Sequence, residues 1–188
     1  MMTTKIGLQL KTVERGDTQV LPALAALLGD GVAHGASVGF LAELSTAEAR
    51  AYWDGVLARL GPQHILWTLH EGGHLVGTVQ LAICEKANGR HRAEVQKLIV
   101  HSSARGRGLA SVLLRTLEQA ARVKGCSLLV LDTEAGSPAE AVYGHLGWAK
   151  AGEIPRYAAS PDGRLCATAL YYKLLEQETS RHVEHAPS

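Results

Sequence analysis

The chain has 188 residues, 46% of them hydrophobic, with 19 basic side chains against 18 acidic ones and a formal net charge of +1. That length and apolar content suffice for one buried core and predict a single domain over residues 1–175, while the balanced charge gives nucleic acid and anionic membranes no electrostatic hold. No apolar run approaches the roughly 20 residues of a membrane helix, and the first residues lack a signal-peptide core, which predicts a cytoplasmic protein.

Residues 5–13 alternate weakly and predict a first strand. Residues 17–34 set Val20, Leu21, Leu24, Leu27 and Leu28 at helical spacing behind Asp17 or Thr18 as cap, and Gly29, Gly31 and Gly35 are expected to break that helix. The chain's single Phe, Phe40, precedes a second helix, which Ser45 and Glu48 open with capping-box spacing and Gly61-Pro62 closes; Trp53, Val56, Leu57 and Leu60 form its apolar face. Two strand-like runs, 65–69 and 75–83, are joined across Gly72-Gly73, a hairpin signal. His70 and His74 flank that turn with no third ligand nearby, so no metal is expected.

Residues 94–124 organise the rest. Residues 94–100 alternate as a strand should, with Glu94, Gln96 and Leu98 expected on one face. Arg105-Gly106-Arg107-Gly108-Leu109-Ala110 follows, then a helix in which Ala110, Leu113, Leu117 and Ala121 recur and which Lys124 and Gly125 end. Glycines let backbone N–H groups approach a ligand, the helix start adds unpaired N–H groups and a positive dipole end, and Arg105 and Arg107 add forked donors. The pattern predicts a phosphate site. It is not a P-loop, because no Gly-Lys-Ser/Thr follows. A dinucleotide fingerprint fails too: its third glycine position is Ser111, and although Asp132 stands where a ribose ligand would, the strand carries Glu94, Gln96 and Lys97 where such a fold needs apolar residues.

Residues 128–133 predict another strand, residues 139–148 a helix carrying Tyr143, and residues 149–154 and 166–174 two closing strands. The turn-rich connection between the last two is expected to form a long flap. Tyr171 and Tyr172 should face opposite ways. Residues 176–188 are polar and aperiodic and predict a flexible tail. Cys84, Cys126 and Cys166 are an odd number with no Cys-x-x-Cys pairing and are expected as reduced thiols, buried at 126 and 166.

Arg105, Gly108 and Ala110 satisfy Gln/Arg-x-x-Gly-x-Gly/Ala, and Ala139, Tyr143, Gly147 and Trp148 follow an Ala-x-x-x-Tyr-x-x-x-Gly-Phe helix pattern. In both motifs, over residues 5–175, the chain resembles the GNAT superfamily of acetyl-CoA-dependent N-acetyltransferases. Within it, residues 93–98, 131–137 and 160–164 resemble the tabtoxin resistance acetyltransferases. The resemblance implies an α+β, three-layer GNAT-like fold with a mixed, mostly antiparallel seven-stranded sheet and helices on both faces. It implies acetyl-CoA as co-substrate and a small amine, of amino-acid, dipeptide or toxin type, as acceptor. Backbone groups of Leu98, Ile99 and Val100 would pair with the pantetheine arm, and Arg105, Gly106, Arg107, Gly108, Leu109, Ala110 and Ser111 would hold the pyrophosphate. Tyr143 would contact the cofactor and act as general acid, with Asp132 or Glu94 as base. Gly136 stands where many members have an Asn that contacts pantetheine, with Ser137 beside it as a substitute. A protein N-terminus or lysine as acceptor, a catalytically idle acetyl-CoA-binding module, and a homodimer stay open.

Overall fold

The computed structural model describes residues 7–176, so the predicted tail from residue 177 onward, and the start of the predicted first strand, lie outside the described residues. Seven strands form one sheet in the order β1-β2-β3-β4-β5-β7-β6. These are β1 (Leu8–Val13), β2 (His64–Glu71), β3 (His74–Ile83), β4 (Arg92–Val100), β5 (Leu128–Glu134), β6 (Ala149–Ala159) and β7 (Leu165–Leu174). Every neighbouring pair is antiparallel except β4 and β5. The parallel pair needs a crossover, and α3 (Leu109–Val123) supplies it.

Helices cover both faces. On one, α1 (Leu21–Ala33) and α2 (Thr46–Arg59) bury Leu24, Leu28, Trp53 and Val56 against Leu66 and Ile99. On the other, α3 and α4 (Pro138–His145) enclose Leu113, Leu117 and Tyr143 with Leu69, Val79, Leu81 and Leu131. Each fully buried leucine of this kind stabilises by about 1.5–3 kcal/mol, which outweighs the weak intrinsic preference of any single helix.

Local signals explain most boundaries. Ser45 and Glu48 form a complete capping box at the start of α2. Gly72 and Gly73, both at positive φ, close the β2–β3 hairpin. At the end of α3, Gly125 has φ 79° and the Cys126 amide donates back to the Ala121 carbonyl at 2.9 Å, a glycine-type helix stop. Cys126 is buried, whereas Cys166 is only half-buried, its sulfur 2.9 Å from Ser160 Oγ.

Two expectations are corrected. Gly29 and Gly31 do not break α1, which runs to Ala33 and stops at Gly35. At Gly31 a Cβ would lie 3.2 Å from Ile99 Cγ2, so this glycine lets the helix sit close on β4. The long flap is also absent. β6 continues through Pro155, Arg156 and Tyr157 to Ala159, and a short turn leads to β7. As the edge strand, β6 tolerates Pro155, and its register slips between Ile154 and Ala158, with Arg156 at φ 54°.

Asp30 on α1 accepts hydrogen bonds from the Ser102 amide and from Ser102 Oγ, each at 2.7 Å, and so ties the helix to the turn after β4. Burial would raise its pKa, yet the Ser102 bonds with nearby His101 and His34 hold the carboxyl below its ordinary 3.8. A depressed folded pKa contributes stability that is complete above the unfolded value and lost as pH falls through the folded one. Asp30→Asn is therefore expected to lose about 1.5–3 kcal/mol in urea unfolding at pH 7, with the gap to the unsubstituted protein narrowing below pH 3.8. An unchanged gap across that range would remove the ionised carboxyl from the account.

Candidate functional site

β4 and β5 lie side by side for three residue pairs, Arg92↔Leu128, Ala93↔Leu129 and Glu94↔Val130. Beyond these, β5 stays paired with β7 to Glu134, while β4 stays paired with β3 alone. The strands part, and the edge of residues 95–100 that faces β5 has no strand partner among the described residues.

A bulge accompanies the parting. Gln80 is opposite Gln96, and Thr78 is opposite Ile99, so two steps along β3 match three along β4. Lys97 is the inserted residue, at φ 49°, a left-handed conformation that costs a non-glycine residue about 1–3 kcal/mol. The slip corrects the expected face: Leu98 and Val100 pack toward α3, Ile99 is buried under α1 and α2, and Glu94 and Gln96 no longer share a face with Leu98.

The turn after β4 buries Ala104, and Gly106 and Gly108 follow at φ 72° and 75°. The first amide of α3 with a carbonyl partner is that of Val112, bonded to Gly108 at 3.3 Å. The Leu109, Ala110 and Ser111 amides make no hydrogen bond among the described residues, and they point from a helix start that favours anions. Leu109 contributes only its backbone, because its side chain is buried. The Arg107 fork is engaged by Glu71 at the hairpin, at 2.9 and 2.5 Å. Arg105 Nε donates to the Val100 carbonyl at 3.3 Å, bracing the loop against the end of β4.

Across the gap, Tyr143 is 6% exposed, with Trp148 and Tyr171 rings 5.9 and 5.7 Å from its own. Its hydroxyl has no hydrogen-bond partner among the described residues. Burial first, and the negative charge of Asp132 second, push its pKa well above the ordinary 10.0. Asp132 Oδ2 accepts from Thr168 Oγ1 at 3.0 Å. Glu140, one turn before Tyr143, fixes α4: it accepts from Tyr171, from Lys150 (2.9 Å) and from the Gly136 amide (2.6 Å), which pull its pKa down to about 2. Tyr171 is thus the inward tyrosine and Tyr172 the outward one. Gly136, at φ 79°, makes the turn that brings this amide to Glu140.

On the α1–α2 side, Glu94 is exposed and shares its face with residues that the sequence did not single out. Tyr52 stacks edge-on against Phe40 at 5.3 Å and Trp53 at 5.0 Å, and the Lys97 ammonium lies 5.3 Å from its ring centre. Gln80, fully buried, donates to Tyr52 Oη at 3.1 Å and bonds His64 at 2.8 Å. The signal for Lys97 was present as two adjacent polar residues in a strand that otherwise alternates. Ala42 N donates to the Pro161 carbonyl at 2.9 Å, tying the α1–α2 connection to the β6–β7 turn. A cavity of about 30 Å³ is lined by residues that include Ser37, Asp132, Cys166 and Thr168.

Residues 35–148 match the acetyltransferase (GNAT) family. A ribosomal-protein-alanine N-acetyltransferase from Brucella melitensis has 24% identity and a TM-score of 0.73 over 89% of this chain and 99% of its own. A GCN5-related N-acetyltransferase from Kribbella flavida has 22% identity and a TM-score of 0.74 over 90% and 98%. The protein yncA of Salmonella typhimurium, in a structure with its cofactor acetyl-CoA, has 18% identity and a TM-score of 0.72 over 96% and 98%.

Replacing Gln80 with Leu is expected to lower unfolding stability by about 1–3 kcal/mol, because the Tyr52 hydroxyl and His64 then lose a buried partner. Thermal unfolding measures it, and a change within error would mean that water replaces the amide at no loss.

Proposed function

This chain belongs to the GNAT acetyltransferase family and is an acetyl-CoA-dependent N-acetyltransferase, and from that premise we propose that its acceptor is the primary amine of a small molecule, acetylated by direct attack. The observation that carries the reading is the parting of β4 from β5, with Tyr143 and Asp132 on its far side and the aromatic, charged wall of Tyr52, Glu94 and Lys97 on its near side.

The residues present fit the cofactor. Backbone groups on the open edge at Leu98, Ile99 and Val100 suit the pantetheine arm, and the loop amides from Gly106 to Ser111 suit the pyrophosphate. At Gly106 and Gly108 nothing else in the chain approaches within 4 Å of the Cβ position, so a ligand can come close to the backbone there. Acetyl-CoA supplies the activated thioester carbonyl. The amine must reach it neutral, and Asp132 is the better placed base, because its charge acts on both Tyr143 and Lys97, whereas Glu94 acts on Lys97. As the C–N bond forms and the C–S bond breaks, the amine proton goes to Asp132, and the Tyr143 hydroxyl donates to the departing sulfur.

The tie between Ala42 and Pro161 holds the α1–α2 connection to the β6–β7 turn, an arrangement that favours a small acceptor over a protein terminus. The likeness to tabtoxin resistance enzymes adds amino acids and dipeptides as the class to try first, in the cytosol. A turnover screen of amines, amino acids, dipeptides and protein N-terminal peptides, read as thiol release, tests this. Turnover confined to peptides would replace the small acceptor with a protein one.

Acetyl-CoA at a hundredfold excess over its Kd is expected to stabilise the fold by about 2.7 kcal/mol, and Gly108→Val to abolish that shift, because a β-branched residue cannot hold φ 75°. An intact shift would put the phosphates elsewhere. Tyr143→Phe is expected to lower turnover by about 10²–10³-fold with the acetyl-CoA Kd nearly unchanged, since only the proton donor is removed. Equal turnover of the two proteins, with chemistry rate-limiting, would return Tyr143 to a packing role.

A further inference from the structure

Lys97 is a costly residue for its place. It sits at φ 49° in the bulge of a central strand, where glycine would be free of strain, and its ammonium is half-buried. Its surroundings lower its pKa by burial first, against the opposing pull of Asp132 and Glu94. No hydrogen bond or ion pair to Lys97 exists among the described residues. Its ammonium lies over the face of Tyr52, 5.3 Å away, which attracts the charge but accepts none of the three N–H donors. Three unsatisfied donors on a partly desolvated cation are a liability unless a ligand fills them. Gly39, on the α1–α2 connection, lies beside the ammonium, its Cβ position 3.8 Å from Lys97 Nζ.

The charges around it complete a pattern. Glu94 and Asp132 are the carboxylates that act on Lys97, each farther away than an ion pair allows. One ammonium and two carboxylates, none of them in an ion pair among the described residues, are complementary to a molecule that carries an anion and an ammonium together. We propose that Lys97 anchors the carboxylate of the acceptor, so that this enzyme acetylates amines of the amino-acid class and discriminates against their neutral counterparts. The aromatic contact and the Gln80–Tyr52 hydrogen bond make Tyr52 the residue that positions the Lys97 side chain. This inference rests on the acetyltransfer reading and specifies its substrate.

The test uses the proteinogenic L-amino acids, each paired with its own carboxamide, which keeps the amine and removes the anion. For the best acceptor pair, the unsubstituted chain should favour the acid by about 10–100-fold in kcat/KM, the range of one charge-assisted hydrogen bond. Lys97→Met should lower kcat/KM for the acid far more than for the carboxamide, mainly through KM, and so erase that preference. Lys97→Arg should restore most of it, which a merely structural lysine would not. Equal use of acids and carboxamides by the unsubstituted chain, or an equal loss for both in Lys97→Met, would overturn the proposal while leaving acetyl transfer standing. Absence of thiol release with every small amine, although acetyl-CoA still stabilises the fold, would overturn the small-acceptor reading and this proposal together.

Discussion

The separation of β4 from β5 is the constraint on which the rest of the molecule depends. Parallel neighbours would ordinarily satisfy each other's backbone along their whole length. Here three residue pairs hold the strands together, and the insertion of Lys97 bends the remainder of β4 away. The strain at Lys97 is about 1–3 kcal/mol. It is offset by what the slip achieves on both faces: Ile99 is buried under α1 and α2, a gain of about the same size, while Leu98 and Val100 pack, partly buried, on the α3 side. One extra residue therefore opens a backbone edge for a ligand and still leaves β4 able to anchor two cores.

An opened sheet needs bracing, and the braces are polar. Asp30 fastens α1 to the turn that begins the glycine-bearing loop, and Arg107 with Glu71 fastens the loop to the β2–β3 hairpin. On the far side, Glu140 gathers the Gly136 amide, Tyr171 and Lys150, so the helix that presents Tyr143 is fixed from its first turn. Lys173, on β7, reaches the buried Glu118 of α3 at 2.8 Å and the Leu146 carbonyl at 2.7 Å, joining the helices on that face to the strand beside β5. Charges buried in such pairs add more to placement than to stability. Tyr143 owes its position to these contacts and keeps its own hydroxyl unengaged.

What could be read from the sequence were features whose cause is local. Ser45 and Glu48 act on each other three residues apart, Gly72-Gly73 makes its own turn, and the glycines at 106 and 108 are needed by the backbone there whatever surrounds them. The failures share a different cause. Gly31 was taken for a helix breaker because its partner, Ile99, is 68 positions along and only the fold brings them to 3.2 Å. Pro155 was taken for a loop residue because nothing nearby in sequence says that β6 is an edge strand. Tyr52 did not stand out beside Trp53 on its helix, since its role is set by Gln80 and Lys97 from two different strands. Lys97 lies between these cases. The polar pair Gln96-Lys97, followed by three apolar residues, is a phase slip that period-2 reading smooths over.

Tyr143 and Asp132 bear on each other in a way that fits the order of the proton transfers. The negative charge of Asp132 helps to hold the Tyr143 proton in place, which in the proposed mechanism leaves a base ready to accept and an acid that does not lose its proton early. In the proposed reaction Asp132 takes the proton of the attacking amine, and its negative charge disappears. The electrostatic part of the upward push on Tyr143 disappears with it, and the phenol becomes a stronger acid when the thiolate begins to form. Burial, the larger part of the push, remains. A raised pKa gives Tyr143 a high affinity for its proton, so on this proposal the phenolate left after the thiolate takes that proton is refilled by the amine proton held on Asp132, which resets both groups. In the proposed reaction two groups on different elements, β5 and α4, are thus coupled through the charge of Asp132 beside the gap between β4 and β5.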